Sequence, residues 1–256
     1  MALADVEYRV LRTREERLAF ARSMNLFSTP FMREVFKDEK ATQYVLRILT
    51  GKPDLKIVQN LTEYRISKLD TRDAVLDVIA VGEEGIQYHI EIQLADSDDH
   101  ILRVRFYSAM VDSELLEKGI KYKDLPNTII FYISKNDFMD LREPIARVNS
   151  TVGSKNKNYD DGKHIFSVNA AVDENSEVAR LMEFFKSADP NDASHGERSD
   201  RVHLLKCEQE GEDPMCKITQ SFVDEGKIIG YVECQREEYH MPDEKIIEKI
   251  KDRFQL

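Results

Sequence analysis

The sequence has no apolar run near the roughly 18 residues that cross a bilayer. Its first twenty residues, MALADVEYRVLRTREERLAF, carry charges where a secretion signal needs an apolar centre. A cytoplasmic protein is the expectation. Positive charge is also short: 37 Lys and Arg stand against 48 Asp and Glu, a net charge of -11. A field of that sign repels polyanions, so any nucleic-acid site must be local or helped by metal. Cysteine is scarce. Cys207, Cys216 and Cys234 match neither a CxxC zinc pattern nor a secreted disulfide framework, and they read as reduced structural thiols. Missing too are a Gly-rich phosphate loop, a G-x-S-x-G elbow, an H-E-x-x-H helix, a helix-turn-helix or zinc-finger module, repeats and sustained heptads. These absences disfavour a small-molecule enzyme of another α/β type and leave no module for reading bases. With 10 Gly and 7 Pro in 256 residues, 41% hydrophobic and 33% charged, the chain is not low-complexity and can build a core. One large domain or two small ones are expected.

The pattern along the chain is mixed. A charged, helix-compatible segment spans Glu15 to Met24 and runs into Phe27-Ser28-Thr29-Pro30, where Ser and Thr can cap and Pro suits a first turn. Phe31, Val35, Phe36, Val45, Leu46 and Leu49 predict a buried helix of about twenty residues that stops at Gly51-Lys52-Pro53. After an extended stretch to Ser67, Ala74 to Val81 is nearly all apolar and reads as a buried strand. Gly82-Glu83-Glu84-Gly85 is a turn, and Ile86 to Leu94 alternates apolar with polar, giving a hairpin with one polar face. Ile101 to Lys118 predicts an amphipathic helix with Leu102, Phe106, Ala109, Met110 and Leu116 inward and Gly119 as C-cap. Thr128 to Ile133 is another buried strand. A loop-rich stretch, a strand at His164 to Asn169 and a helix from about Ser176 to Lys186 follow. Asp189 to Gly196 is a linker candidate, before short helices at about 197–208 and 213–224 and a last one after Pro242. The order helix, three strands, helix, strand predicts an α/β core, a mixed sheet with helices on each side.

Asp77 lies inside the most apolar strand, where a carboxylate costs several kcal/mol unless it is paired, hydrogen-bonded or metal-bound. A three-residue loop with Gly85 in the left-handed position pairs Gly82 with Ile86. That register puts Asp77 opposite Glu91 and Val75 opposite Gln93, so Asp77, Glu91 and Gln93 share one patch. A hard divalent cation would relieve the repulsion between two adjacent carboxylates. The plainer alternative is a solvated strand face, with Asp77 bonded to an Arg or to backbone.

The residues 31–49 (FMREVFKDEKATQYVLRIL), 76–96 (LDVIAVGEEGIQYHIEIQLAD) and 103–126 (RVRFYSAMVDSELLEKGIKYKDLP) resemble PD-(D/E)xK nucleases. So do 160–169 (DDGKHIFSVN), 185–192 (FKSADPND) and 243–254 (DEKIIEKIKDRF). The likeness is to the Rpn-type recombination-promoting nucleases, also described as PD-(D/E)xK family transposases. It implies a restriction-endonuclease-like fold, Mg²⁺ or Mn²⁺, and phosphodiester hydrolysis in DNA with low sequence preference, in a setting such as recombination or mobile elements. Residues 1–192 would form the nuclease-like domain with an N-terminal helical segment, and residues 193–256 a mainly helical extension. Asp77 takes the place of the motif's Asp, Glu91 of its acidic residue and Gln93 of its Lys, with the carbonyl of Ile92 as a further metal ligand. Neutral Gln can orient a water but offers no positive charge to the phosphate.

Relatives tend to carry an acid at the level of Ser28 or Thr29, which this chain lacks; Glu34 or Glu39 on the following helix are the candidate substitutes, against a solvated helix face as the plainer reading. Arg103, Arg105, Lys118, Lys121 and Lys123 are candidate phosphate contacts, because a chain at -11 must gather its cations to hold DNA. Tyr107 and His89 read as structural. A homodimer is compatible with cutting both strands. The competing hypothesis is a catalytically silent member that binds DNA or protein through the same fold.

Overall fold

The computed structural model describes residues 14–67, 74–93, 100–116, 121–172 and 174–220. A six-stranded sheet with strand order β1-β2-β3-β4-β8-β5 runs through it. Its strands are β1 (Ile57–Ile66), β2 (Ala74–Gly82), β3 (Gln87–Gln93), β4 (Thr128–Ser134), β5 (Ile145–Val148) and β8 (Lys163–Asn169). A small ribbon of β6 (Thr151–Val152) and β7 (Lys157–Asn158) stands apart. The helices are α1 (Arg14–Ser23), α2 (Thr29–Phe36), α3 (Glu39–Thr50), α4 (His100–Leu115), α5 (Glu177–Ser187) and α6 (Glu197–Cys207), with residues 212–220 also helical. The expected mixed α/β sheet flanked by helices is therefore present.

The hairpin forms in the expected register. Gly85 has φ 80°, the Gly82 N–H donates to the Ile86 carbonyl at 2.9 Å, and four cross-strand pairs run from Val81–Gln87 to Val78–Ile90. β1 and β2 are antiparallel. β3, β4 and β8 are parallel and in step, so Gln93, Ser134 and Asn169 end them side by side. The β3–β4 crossover carries α4, as a parallel pair requires.

Three expectations need correction. Where one helix of about twenty residues is predicted, α2 and α3 form. Asp38 between them is extended (φ -78°, ψ 117°), and its carboxylate accepts from the N–H groups of Lys40 and Ala41, a new N-cap that restarts the helix. The α3 stop at Gly51 is as expected, with φ 65°, whereas Ser28 makes no side-chain cap bond at the start of α2. Second, the polar face of β3 is not solvated: His89 and Glu91 are buried. Third, α4 turns His100, Val104, Ser108, Met110 and Val111 inward and leaves Leu102 and Ala109 exposed. Met110 and, half-buried, Phe106 do pack on the sheet as expected, joined by the polar His100 and Ser108 and the β-branched Val104 and Val111. Within the loop-rich stretch, β5 joins β8 antiparallel at the sheet edge. Gly119 and the helix after Pro242 lie outside the described residues.

The main core lies between one sheet face and α2, α3, α5 and α6. Phe31, Phe36, Phe184 and Phe185 are fully buried there with Val78, Ala80 and Ile90 of the sheet and Val202 and Leu205 of α6. Each such ring contributes about 2–3 kcal/mol by burial. A smaller cluster under α4 on the opposite face holds Ile66, Ala74, Leu76, Ile79, Met110 and Val111. Among the described residues no helix is long and apolar enough to cross a membrane. Cys207 and Cys216 are free thiols, and Cys234 lies outside the described residues.

Candidate active site

The β2–β3 ladder stops at Val78–Ile90, and carboxylates take over from the backbone beyond it. Asp77 Oδ2 accepts from the Ile92 N–H at 2.9 Å, and Glu91 Oε1 accepts from the Asp77 N–H at 3.4 Å. The two strands splay there, at the C-terminal end of β3. Each carboxylate uses one oxygen on the backbone and leaves its other for something else.

Side-chain alternation also slips at Asp77. Leu76 and Ile79 both sit in the cluster under α4, while Val78 and Ala80 sit in the main core. The same slip occurs opposite, in β1. Asn60 Nδ2 donates to Phe36 O on the α2 side, yet Tyr64, also even-numbered, donates its hydroxyl to Glu114 on α4. Between them Glu63 has φ 57°, a left-handed conformation that costs a non-glycine residue about 1–2 kcal/mol. The flanking pairs Thr62–Val78 and Tyr64–Leu76 put Glu63 opposite Asp77. Because both strands reverse at this pair, Asp77 faces the gap between the helical layers instead of either core.

That gap is a cavity of about 160 Å³ lined by Thr29, Val75, Asp77, Glu91, Ile92, Gln93, Arg103, Tyr107 and Tyr132. α2 contributes Thr29, and the first half of α4 contributes Arg103 and Tyr107. Arg103 Nη1 donates to the Gln93 Oε1 at 3.2 Å. Behind them, Tyr132 is buried, with its hydroxyl 2.6 Å from His100 Nδ1. The catalytic trio expected from sequence, Asp77, Glu91 and Gln93, thus lies in one pocket with Ile92.

Burial pushes the Asp77 carboxyl up to about 6, against the Ile92 N–H and the charges of Arg33 and Arg103, which pull it down; Glu63 adds a smaller push upward. Burial and then the charge of Asp77 hold Glu91 well above the carboxylate range, opposed by the Asp77 N–H and Arg103. Two buried acids this close need a shared proton or a cation. A hard divalent ion fits the donor set: two carboxylates, each with an oxygen not used by the backbone, and a neighbouring carbonyl in a small polar cavity. No third acid among the described residues joins them. Among the described residues no group of three or more His, Cys, Asp or Glu is placed to hold a metal.

Neither candidate helix acid reaches the cavity wall. Glu34 pairs with Lys37 on α2, and Glu39 is exposed at the start of α3. Thr29 does line the cavity. Of the candidate DNA contacts, Arg103 lines it, Arg105 and Lys121 are exposed elsewhere, and Lys118 lies outside the described residues. His89 is buried (2% exposed), both its ring nitrogens lack a hydrogen-bond partner, and burial lowers it to about 4, so the ring is neutral. Sequence reasoning missed Arg33, which pairs with Glu63 at 3.0 Å, as well as Glu63 and Tyr132. Only the strand partnership of Glu63 with Asp77 could have signalled the first two.

A family profile described as PD-(D/E)XK nuclease family transposase matches residues 36–166, just over half of the chain. The chain belongs to this family. The matched span of the PD-(D/E)XK domain carries α3, β1 to β4 and α4, and with them Asp77, Glu91, Gln93 and Arg103; Thr29 falls outside it. A nuclease-like or transposase-related function follows from membership. No curated protein and no solved structure matches the chain.

Proposed function

We propose that this PD-(D/E)XK protein is a divalent-metal-dependent DNA endonuclease of low sequence preference, acting in recombination or on mobile elements. The observation that carries the reading is the buried pair Asp77 and Glu91, tied to each other's strand at a splayed sheet end that opens into a polar cavity. Asp77, Glu91 and the Ile92 carbonyl would hold Mg²⁺ or Mn²⁺. The ion, when bound, supplies water activation and charge neutralisation at phosphate.

The chain's own residues do the rest. The Ile92 N–H fixes the Asp77 carboxylate, and the Asp77 N–H fixes that of Glu91, so both ligands are oriented before substrate arrives. The Gln93 amide orients the attacking water. Arg103, with the exposed Arg105 and Lys121, offers local positive charge to the DNA backbone. Two chains acting as a dimer would cut both strands.

The lack of an acid at the level of Ser28 or Thr29, which the family resemblance leads one to expect there, favours a second reading: a silent member that binds DNA or a protein partner. Nicking of supercoiled plasmid in Mg²⁺, Mn²⁺ or EDTA, beside Asp77→Ala and Glu91→Ala, separates the two. Metal-dependent cutting lost in both variants supports the nuclease, and a folded parent that cuts in neither metal supports the silent binder.

A further inference from the structure

A strand-borne Lys in the general motif brings a cation to the phosphate, and this chain has a neutral Gln93 in that place. The charge is not missing from the cavity. Arg103, in the first turns of α4, lines the same wall as Asp77, Glu91 and Gln93, and its Nη1 lies 3.2 Å from the Gln93 Oε1. We infer that Arg103 supplies from the helix the positive charge that the motif's Lys supplies from the strand, and that Gln93 is the positioning residue that holds it there.

This rests on the nuclease reading above. Hydrolysis joins the water oxygen to phosphorus and breaks one ester P–O bond; the water gives up one proton and the leaving alkoxide takes up one. Negative charge builds on the phosphoryl oxygens between those two events, and a fixed cation there stabilises the transition state more than the ground state. A guanidinium suits the task because it stays charged in a buried site and presents its N–H donors in a planar fork. A Lys at position 93 would reach the cavity from the strand without the helix. Gln93 and Arg103 together therefore divide between two elements what one side chain does elsewhere. Arg103 also bears electrostatically on Asp77 and Glu91, which places its charge near both proposed ligands.

The test is a cycle of Arg103→Met, Gln93→Lys and the double variant, with Arg103→Lys beside them, each checked by its melting curve. Two quantities are read: single-turnover cleavage at saturating protein in Mg²⁺, and DNA affinity by fluorescence anisotropy in EDTA. Arg103→Met is expected to cut about 100-fold more slowly, with affinity changed by less than about tenfold. Arg103→Lys keeps at least about a tenth of the parent rate, and Gln93→Lys restores the Met variant by at least about tenfold. These rescues separate a supplied charge from a structural contact.

An Arg103→Met variant within about threefold of the parent overturns the inference. So does a double variant no faster than Arg103→Met, or a deficit that disappears at pH 9, which would mean that Arg103 only keeps the carboxylates ionised. A parent that does not cut removes the nuclease reading, and this inference with it; a parent that cuts while the cycle fails removes the inference alone.

Discussion

Asp77→Asn should make the metal-free protein more stable while abolishing its activity. A carboxyl that binds its proton more tightly in the folded chain than in the unfolded one destabilises the fold wherever it is ionised in both. Burial raises Asp77 from its ordinary 3.8 to about 6. At about 1.4 kcal/mol per tenfold in proton affinity, the penalty is about 3 kcal/mol above pH 6; it declines as pH falls and is nearly gone by about pH 4. Asparagine keeps an oxygen to accept from the Ile92 N–H, so that bond survives the substitution. For a chain of this size about 3 kcal/mol is about 6–12 °C in Tm. The carboxylate faces a cavity that water can enter, which lowers the expected gain to at least ~3 °C. The assay is thermal unfolding in EDTA at pH 7.5 and pH 4, followed by circular dichroism. A gain at pH 7.5 that vanishes at pH 4 is the expected result. An Asn variant that melts at or below the parent at pH 7.5, or gains equally at both pH values, would refute the reasoning.

Two further substitutions probe the cavity wall and the packing behind it. Thr29→Asp places an acid on the cavity wall at the start of α2, where the helix dipole favours it by about 0.3–1 kcal/mol. Plasmid nicking in Mg²⁺ is expected to rise about tenfold as metal holding improves, and an unchanged or lower rate would count against a third ligand at this position. Gly211→Ala would set a Cβ 2.2 Å from Leu204 O and 2.5 Å from Leu205 Cα. It should cost more than about 2 kcal/mol, read as a lower urea midpoint, and an unchanged midpoint would contradict the close approach of Gly211 to α6.

The part of the site that was legible in the sequence is the part built locally. Gly82 and Gly85 fix a short hairpin loop, the loop fixes the register, and the register brings Asp77 to Glu91 across fourteen residues. Arg33 comes from a helix packed on the sheet, and Glu63 and Tyr132 from strands whose pairing with β2 and β3 no short loop fixes. Nothing in the residue type announces that Glu63 sits at φ 57° or that β1 and β2 reverse their faces together. The inward face of α4 was misread for a related reason. His100 and Ser108 are polar yet buried, and Ile101 and Leu102 are apolar yet exposed, because the helix crosses a site and not only a core. The break before α3 was readable in principle, since Asp38 followed by Glu39 and Lys40 is an N-cap pattern inside an apolar periodicity.

The central claim is that Asp77 and Glu91 hold a divalent cation, and calorimetric titration of the folded, EDTA-stripped protein with Mn²⁺ addresses it most directly. The parent should bind Mn²⁺ saturably, and Asp77→Asn and Glu91→Gln, each shown to be folded, should each lose that binding. Mn²⁺ binding that survives in both variants, or a parent that takes up none, would contradict the account.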